Sequence, residues 1–314
     1  MPSSHHRAVL LEEVVAWLVP EGEPREELIF VDGTVGAGGH AAALARRIGP
    51  TGGRVIGIDR DPEMLALAET ATEGLGVTLV EAAYSNIARV LDDLEIDTVD
   101  GFLLDLGLSS DQLAWGHRGF SFGEDGPLDM RFGPKIKKSA ADLVNDLDAD
   151  ELANIFFQYG EERHSRRIAK RLVEARRVEP ITTTARLADL VRKSIPGKWG
   201  AIDPATRVFQ ALRIAVNDEL GHLDSILEQL PNFLTPGRGR VAIISFHSLE
   251  DRIVKHWLRA EEKGCICPPQ APVCVCGQAP RMKILTNHPQ MADEAEIASN
   301  VRAHSAKLRV AERL

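Results

Sequence analysis

A glycine-rich turn, Val31 to His40, carries the clearest chemical signal in the sequence. It follows a short apolar run, Leu28 to Asp32, that predicts a strand, and it precedes a predicted helix. Gly36, Gly38 and Gly39 allow the backbone to turn tightly and to approach a ligand closely. The N-terminus of the following helix offers unpaired N–H groups. The turn therefore predicts a site for a nucleotide-like cofactor.

Three carboxylates are expected at the same edge of a sheet as this turn. Asp32, Asp59 and Asp105 each end a predicted strand, and open α/β sheets bind ligands outside the carboxyl ends of their strands. A single acid at such a position commonly caps a helix. Three acids around one glycine turn favour a binding site.

The glycines alone leave two cofactor classes open. Gly36-x-Gly38-x-x-Ala41 also satisfies the relaxed dinucleotide pattern, and Asp59 follows at about the 20-residue spacing where an acid holds a ribose. Asp32, however, would crowd a pyrophosphate and would suit a cationic or amino-bearing ligand. S-adenosylmethionine carries a sulfonium cation, a ribose diol and an amino acid tail but no phosphate. It therefore fits this set of acids better than NAD does.

Alternating strand and helix patterns predict an α/β fold. Short apolar runs predict strands at 28–32, 54–59, 77–81, 99–105 and 239–245. Helices are predicted at 63–72, 149–159, 163–177, 184–195, 204–230 and 250–262. Strands of this kind, separated by helices, indicate a Rossmann-like, doubly wound and mostly parallel sheet. We expect a sheet domain of residues 1–112 and 203–314, interrupted by an all-helical insertion at 113–202.

The composition places the chain among ordinary globular proteins. Its 314 residues are 44% hydrophobic and 26% charged, with a formal net charge of −9, which excludes a disordered or collagen-like chain. No run approaches the roughly 18 apolar residues of a membrane span. Glu12 and Glu13 interrupt the apolar run near the N-terminus, so no signal peptide is predicted. We expect a cytoplasmic protein that contacts no membrane, and no protein partner is evident.

The four cysteines are grouped in one short segment and form two Cys-x-Cys pairs, which are Cys265, Cys267, Cys274 and Cys276. Two disulfides would require an oxidising compartment that nothing else in the sequence indicates. Four thiolates can bind zinc, but zinc-binding pairs are usually separated by two to four residues. A surface loop of reduced cysteines, stiffened by neighbouring prolines, fits equally well. Both interpretations stay open, and no metal is assigned.

Longer motifs resemble a known family across nearly the whole chain. They are the segments 6–13, 32–40, 105–112, 118–131, 209–219, 244–252 and 305–309. The chain resembles the bacterial 16S rRNA (cytosine-N4)-methyltransferase family, called RsmH or MraW, which has a class I methyltransferase fold. The resemblance implies methyl transfer from S-adenosylmethionine to the exocyclic N4 of a cytidine in the decoding centre of 16S rRNA. The implied partner is the small ribosomal subunit.

The resemblance also implies a set of cofactor-binding residues. They are Gly38, Gly39, His40, Asp59, Tyr84, Asp105 and Gln112, to which the turn itself adds Asp32 and Gly36. Asp59 would bind the ribose, and Tyr84 would lie beside the adenine where the family more often has Phe. Asp203 and His304 depart from the family pattern, and neither is assigned a role.

The implied reaction is an in-line displacement in which the enzyme must position a poor nucleophile, the cytosine amine. Acceptors for the N4 hydrogens would concentrate electron density on that nitrogen. Many amino-methylating enzymes use an Asp/Asn-Pro-Pro-aromatic loop here, but this chain has Asp-Leu-Gly-Leu-Ser-Ser at 105–110. The candidate acceptors are therefore Asp105, Ser109 and Ser110. No general base is assigned, because water can take the proton. An RNA-binding protein without catalysis would need neither the turn nor these acids.

Candidate substrate contacts lie further along the chain. Phe120 and Phe122 are expected either to stack on a flipped base or to seal the joint with the insertion. His247 is expected either near the same crevice or bonded to the backbone. Asp125 and Asp129 are expected to organise the loop that holds the two phenylalanines.

One predicted helix of the insertion concentrates positive charge. Residues 163–177 contain seven Lys and Arg against one Glu. Such a run is usually a solvated helix face, but an acidic protein that places it in an insertion favours contact with a phosphate backbone. Together with the resemblance, this pattern indicates that Arg166, Arg167, Lys170 and Arg171 contact RNA.

Overall fold

The computed structural model describes residues 8–20, 26–195, 197, 203–267, 273 and 275–314. The strands in these ranges are β1 (Ile29–Asp32), β2 (Arg54–Asp59), β3 (Val77–Glu81), β4 (Gly101–Asp105), β5 (Arg240–Ser245), β6 (Met282–Ile284) and β7 (Lys307–Arg313). The α-helices in the first part are α1 (Leu11–Leu18), α2 (Gly39–Ile48), α3 (Pro62–Ala71), α4 (Ile87–Asp93), α5 (Ser110–Ala114), α6 (Ala140–Asp146) and α7 (Ala149–Gly160). The later helices are α8 (Ser165–Arg176), α9 (Thr184–Ser194), α10 (Pro204–Asn217), α11 (Glu219–Phe233), α12 (Ser248–Lys263) and α13 (Glu294–Ser299). Among the described residues, no helix is both long and apolar enough to cross a bilayer.

The strands form one sheet in the order β3-β2-β1-β4-β5-β7-β6. The first five strands are parallel, and β7 runs antiparallel to both β5 and β6. The predicted Rossmann-like, mostly parallel sheet is thus confirmed. The strand order reverses between β1 and β4, and Asp32 and Asp105 end these two strands. The switch point of an open α/β sheet is where its ligands bind.

Successive strand residues pack on opposite faces of this sheet. Phe30 and Leu103 join a cluster with α1 and α2, whereas Val31 and Phe102 join a second cluster with α4, α11 and α12. This alternation is the two-residue period of a β-strand with both faces covered. Buried apolar residues therefore hold the strand ends, and the acids on them, in fixed positions.

The sequence prediction missed β6 and β7. β6 has only three residues, and β7 mixes charged and apolar side chains. The cations of β7 are matched in space instead, because Asp251 of α12 lies 2.8 Å from Arg309 Nε and 3.3 Å from Lys307 Nζ. A partner supplied by a distant helix leaves no local pattern for a strand prediction to use.

The chain divides into two compact units, which are residues 1–107 with 221–314 and residues 108–220. The sequence prediction assigned α10 to the sheet domain. In the structure Val208, Phe209 and Leu212 of α10 lie in the apolar core of the second unit, with residues of α7 and α9. The second unit, which we call the helical unit, therefore includes α10.

The single helix predicted over 204–230 is wrong. Asp218 has a φ of 49°, and this left-handed residue separates α10 from α11. The preceding residue, Asn217, is buried, and its amide accepts from Phe132 N–H at 2.8 Å and donates to Met130 O at 2.7 Å. The Asn217 side chain, at the end of α10, thus holds the end of the distinctive 118–131 segment in place.

Candidate active site

The glycine turn adopts a backbone that only glycine adopts easily at two positions. Gly36 has a φ of 50° and Gly38 a φ of 87°, which is the left-handed region. A Cβ on Gly38 would lie 3.1 Å from the Ala68 Cα, so α3 would have to shift slightly to accept a side chain there. Gly39 then begins α2. The turn is shaped by close backbone packing at the carboxyl edge of the sheet.

Thr34 links two of the predicted acids. Its N–H donates to Asp32 Oδ1 at 3.2 Å, and its Oγ1 accepts from Asp105 N–H at 2.7 Å. Sequence analysis did not single out Thr34, whose role depends on β1 and β4 lying side by side. One threonine therefore holds the ends of β1 and β4 together.

Both of these acids keep one buried oxygen unsatisfied. Asp32 Oδ2 and Asp105 Oδ1 have no hydrogen-bond partner among the described residues, although Asp32 is only 1% exposed. An unpaired buried carboxylate oxygen is costly and is uncommon in folded proteins. The pair is a natural receptor for hydrogen-bond donors or a positive charge.

Asp59 is held differently, by two backbone donors. Gly36 N–H donates to its Oδ2 and Asp61 N–H to its Oδ1, both at 3.0 Å. Each carboxylate oxygen has a second lone pair. The side chain is thereby fixed beside the glycine turn and retains acceptor capacity for a ligand hydroxyl.

Burial sets the charge state of the site. It raises the pKa of Asp32 to about 8, and the nearby carboxylates of Asp105 and Asp59 contribute to this rise. Burial also raises the pKa of Asp59 to about 6. Asp32 is therefore mostly protonated at pH 7. A bound cation favours its ionised form, so binding of positive charge is coupled to release of a proton and strengthens as the pH rises towards 8.

His40 is buried beside Asp105. Its Nε2 lies 3.0 Å from Val9 O and its Nδ1 lies 3.8 Å from Asp105 Oδ2. Burial lowers the pKa of His40, so the imidazole is neutral at pH 7. These contacts tie the segment before α1 to the site.

Tyr84 follows β3 at the same edge, in a short 3-10 helix. Its ring packs edge-to-face on His222, with the ring centroids 6.2 Å apart. Ser85 Oγ lies 2.7 Å from His222 Nδ1. α11 therefore contacts the Tyr84 ring on one side. Tyr84 follows β3, which pairs with β2, the strand that ends at Asp59.

Ser109, Ser110 and Gln112 belong to the helical unit. Ser109 Oγ accepts from Gln112 N–H at 3.0 Å, and Gln112 Oε1 accepts from Ser109 N–H at 3.1 Å. This reciprocal capping box begins α5. Gln112 is thus engaged in local structure, and its implied cofactor contact stays a prediction.

Comparison with known proteins identifies the family. Residues 3–314 match the profile of the MraW methylase family. This chain belongs to the MraW methylase family. It is 50% identical over 313 residues to ribosomal RNA small subunit methyltransferase H of Geobacter sulfurreducens, an alignment that covers 98% of this chain and 99% of the relative. The same enzyme of Syntrophotalea carbinolica is also 50% identical over 313 residues, covering 98% of each.

One solved structure of another methylase-fold protein resembles this MraW methylase only distantly. Aeropyrum pernix fibrillarin in complex with natively bound S-adenosyl-L-methionine aligns with 99% of this chain and 84% of that chain. The sequence identity is 9% and the TM-score is 0.42. At this distance the similarity says nothing about the site or its substrate.

Three candidate substrate residues are occupied by structural contacts in this MraW methylase. Phe120 is only 6% exposed and stacks on Phe132, with centroids 5.3 Å apart. Phe122 packs edge-to-face on Phe209 at 4.8 Å. His247 precedes the first residue of α12, and its Nδ1 accepts from Glu250 N–H at 3.5 Å, whereas its buried Nε2 has no hydrogen-bond partner among the described residues. The two phenylalanine rings thus pack within the helical unit, and contact of these three residues with RNA stays a prediction.

The acids of the 118–131 segment hold it in place. Asp125 Oδ1 accepts from Ala185 N–H at 3.0 Å. Asp129 pairs with Arg131 through both carboxylate oxygens, at 2.8 and 2.7 Å. The charged residues of the 118–131 segment therefore stabilise its conformation.

Asp203, to which the sequence analysis assigned no role, caps α10 and binds Arg192 at 2.7 Å.

α8 separates apolar and basic residues onto two faces. Ile168, Ala169 and Leu172 are buried in the helical unit. The four basic residues singled out from the sequence are all exposed, namely Arg166, Arg167, Lys170 and Arg171. A pocket of about 410 Å³ beside the start of α8 is lined by Asn154, Phe157, Arg163, His164, Arg166 and Arg167. The helical unit thus presents a basic surface with an exposed aromatic ring.

Proposed function

We propose that this MraW methylase methylates N4 of a cytidine in the decoding centre of 16S rRNA, with S-adenosylmethionine as its cofactor. Relatives at about 50% identity are named ribosomal RNA small subunit methyltransferase H. The observation that carries the proposal is the pair of unsatisfied buried oxygens, on Asp32 and Asp105, beside the glycine turn. A ribosomal substrate places the reaction in the cytoplasm.

The glycine turn and the acids at the carboxyl edge of the sheet fit this cofactor. The backbone at Gly36, Gly38 and Gly39 permits close approach, and Asp59 would accept hydrogen bonds from the ribose hydroxyls. Tyr84 would lie beside the adenine, and Asp32 would bind the positively charged part. When bound, S-adenosylmethionine supplies an electrophilic methyl group on a sulfonium. The chain's own task is to bind, orient and exclude water.

Asp105 has the central role toward the substrate in this proposal. Its carboxylate accepts a hydrogen bond from the cytosine amine, which orients the nitrogen and increases its electron density. Ser109 and Ser110 are further candidate acceptors on the segment that follows β4. The amine proton leaves to water.

The reaction itself tests the proposal. Purified protein is incubated with labelled S-adenosylmethionine and small ribosomal subunits that lack their decoding-site modification. The expected result is one labelled nucleoside, identified by mass spectrometry as N4-methylcytidine. A different methylated nucleoside, or protein that binds S-adenosylhomocysteine while the subunits stay unlabelled, would contradict the assignment of the substrate.

The basic face of α8 is proposed to bind the rRNA backbone. Replacing Arg166, Arg167, Lys170 and Arg171 by glutamate is expected to weaken RNA binding and to reduce its dependence on salt. Each lost phosphate contact lowers the slope of log K against log salt by about 0.7 to 0.9, so the loss of four contacts lowers it by about 3 to 4. Binding is measured by fluorescence anisotropy across a salt series.

A control variant reverses two charges on the other unit. Arg46 and Arg89 are exposed arginines of the sheet unit, and their replacement by glutamate is expected to leave the slope almost unchanged. Binding of S-adenosylhomocysteine is expected to stay normal in both variants. An unchanged slope in the α8 variant would show that the basic face of this helix is exposed to solvent and does not bind RNA.

A further inference from the structure

A closed loop connects α12 to β6 on the sheet unit. At its base Arg281 pairs with Glu261 through two hydrogen bonds of 2.7 and 2.6 Å, and Arg281 N–H donates to Glu261 O at 3.0 Å. Gly264 has a φ of 64°, and a Cβ there would lie 2.3 Å from the Ala279 carbonyl carbon. The two ends of the loop are therefore in direct backbone contact.

Three cysteine sulfurs converge within this loop. The Sγ atoms of Cys265, Cys267 and Cys276 all lie within 4.8 Å of one another. Cys265 Sγ and Cys276 Sγ are 3.8 Å apart, and Val275 N–H donates to Cys267 Sγ at 3.4 Å. The fourth cysteine of the sequence, Cys274, lies outside the described residues.

Apolar packing does not account for this convergence. The residues beside the cysteines expose aliphatic side chains, with Ile266 at 72%, Val273 at 70% and Val275 at 86%. Burial of these side chains would be the ordinary driving force for ordering a loop. Here the sulfurs face one another while the aliphatic groups face solvent, so another interaction must favour the arrangement.

We infer that this loop binds a structural zinc ion through Cys265, Cys267 and Cys276. Zinc–thiolate bonds are about 2.3 Å long, and a regular tetrahedron of that size has edges of about 3.8 Å. The distance between Cys265 Sγ and Cys276 Sγ equals such an edge. It is far longer than the bond of about 2.05 Å in a disulfide. Soft thiolates select zinc among the common divalent ions.

Structural zinc sites are almost always four-coordinate, so these three sulfurs leave one position for a further ligand. The ion would hold Cys265, Cys267 and Cys276 together within the loop, whose two ends are joined by the Arg281–Glu261 pair. The site is separate from the acids of the glycine turn and needs no part of the methylation reaction.

Metal content tests the inference directly. The full chain is purified under reducing conditions and analysed by inductively coupled plasma mass spectrometry, with one zinc per chain expected. The Cys265→Ser/Cys276→Ser double variant is expected to lose it. Ile266→Ser is the control, because Ile266 lies between two of the ligands and its replacement removes no sulfur. This variant is expected to keep one zinc per chain.

A second measurement does not depend on how the variants fold. Cobalt exchanged into the wild-type protein is expected to give the intense visible bands of a tetrahedral thiolate site. Zinc-free reduced protein, iron in place of zinc, or zinc retained by the double variant would each overturn the inference. A disulfide between Cys265 and Cys276 in the purified protein would do the same.

Discussion

The Asp105→Ala variant is expected to lose methyl transfer by about 100- to 1000-fold, which is the usual effect of removing one preorganised polar contact at a reacting group. Only 9% of the Asp105 side chain is exposed, and its Oδ1 has no partner among the described residues. A substrate amine would satisfy that oxygen. The measurement is the initial rate of label transfer to small ribosomal subunits at saturating cofactor.

The fold should tolerate this change. The bond between Asp105 N–H and Thr34 Oγ1 involves the backbone and remains in the variant. Binding of S-adenosylhomocysteine, measured by calorimetry, is therefore expected to change much less than the rate. Asp97→Ala is the matched control, because Asp97 is an exposed acid before the start of the same strand. Near-normal turnover in Asp105→Ala would remove this carboxylate from the mechanism.

The Asp32→Asn variant is expected to be more stable than the wild type and to bind the cofactor poorly. Folding raises the pKa of Asp32 to about 8 from an ordinary value of 3.8. Between these values the folded protein holds more protons than the unfolded chain, so the stability of the ligand-free protein falls as pH rises. Asparagine cannot ionise, and it keeps the acceptor for Thr34 N–H.

The gain in stability should be largest at pH 8 and above and should vanish near pH 4. A tenfold change in the acid dissociation constant corresponds to about 1.4 kcal/mol, so the melting temperature at pH 8 is expected to rise by about 5 °C or more. Scanning calorimetry of the ligand-free protein across this pH range provides the measurement. A variant that melts below the wild type at pH 8 would refute the argument.

Cofactor affinity should move in the opposite direction. Losing a charge-assisted contact is expected to weaken S-adenosylmethionine binding by about 10- to 100-fold. In the wild type the affinity for S-adenosylmethionine should rise between pH 6 and pH 7.5, because less free energy is needed to deprotonate Asp32 at higher pH. The Asp32→Asn variant should lose most of this pH dependence. Asp97→Asn serves as the control for both measurements. Wild-type affinity in Asp32→Asn would show that the cofactor does not use this oxygen.

The acids and glycines of the site were predictable because their signals are local. Asp32, Asp59 and Asp105 each end an apolar run, and a parallel sheet brings the ends of such runs to one edge. Gly36 and Gly38 stand in a turn whose spacing itself demands positive φ. The prediction of the α/β fold rested on the same strand periodicity.

Features that depend on distant partners were not predictable in this way. Thr34 gains its role only when β1 and β4 lie side by side, and a threonine in a turn has many uses. Phe120 was equally compatible with stacking on a base and with sealing the joint to the insertion, and its contact with Phe132 appears only in the folded helical unit. The break at Asp218 lies within a continuous helical pattern, and it coincides with contacts of the neighbouring Asn217 amide to residues nearly ninety positions away.

The placement of the helical unit has a consequence for synthesis on the ribosome. β4 ends at residue 105, but its neighbour β5 begins only at residue 240. At about 5 to 20 residues per second, this interval takes on the order of 10 s. During that time β4 is an unpaired strand edge, a state that invites pairing with other chains. The helical unit, which has its own apolar core, is translated in the same interval. Nascent chains of this protein are thus most vulnerable to aggregation after the acids of the site have been made and before the sheet can close.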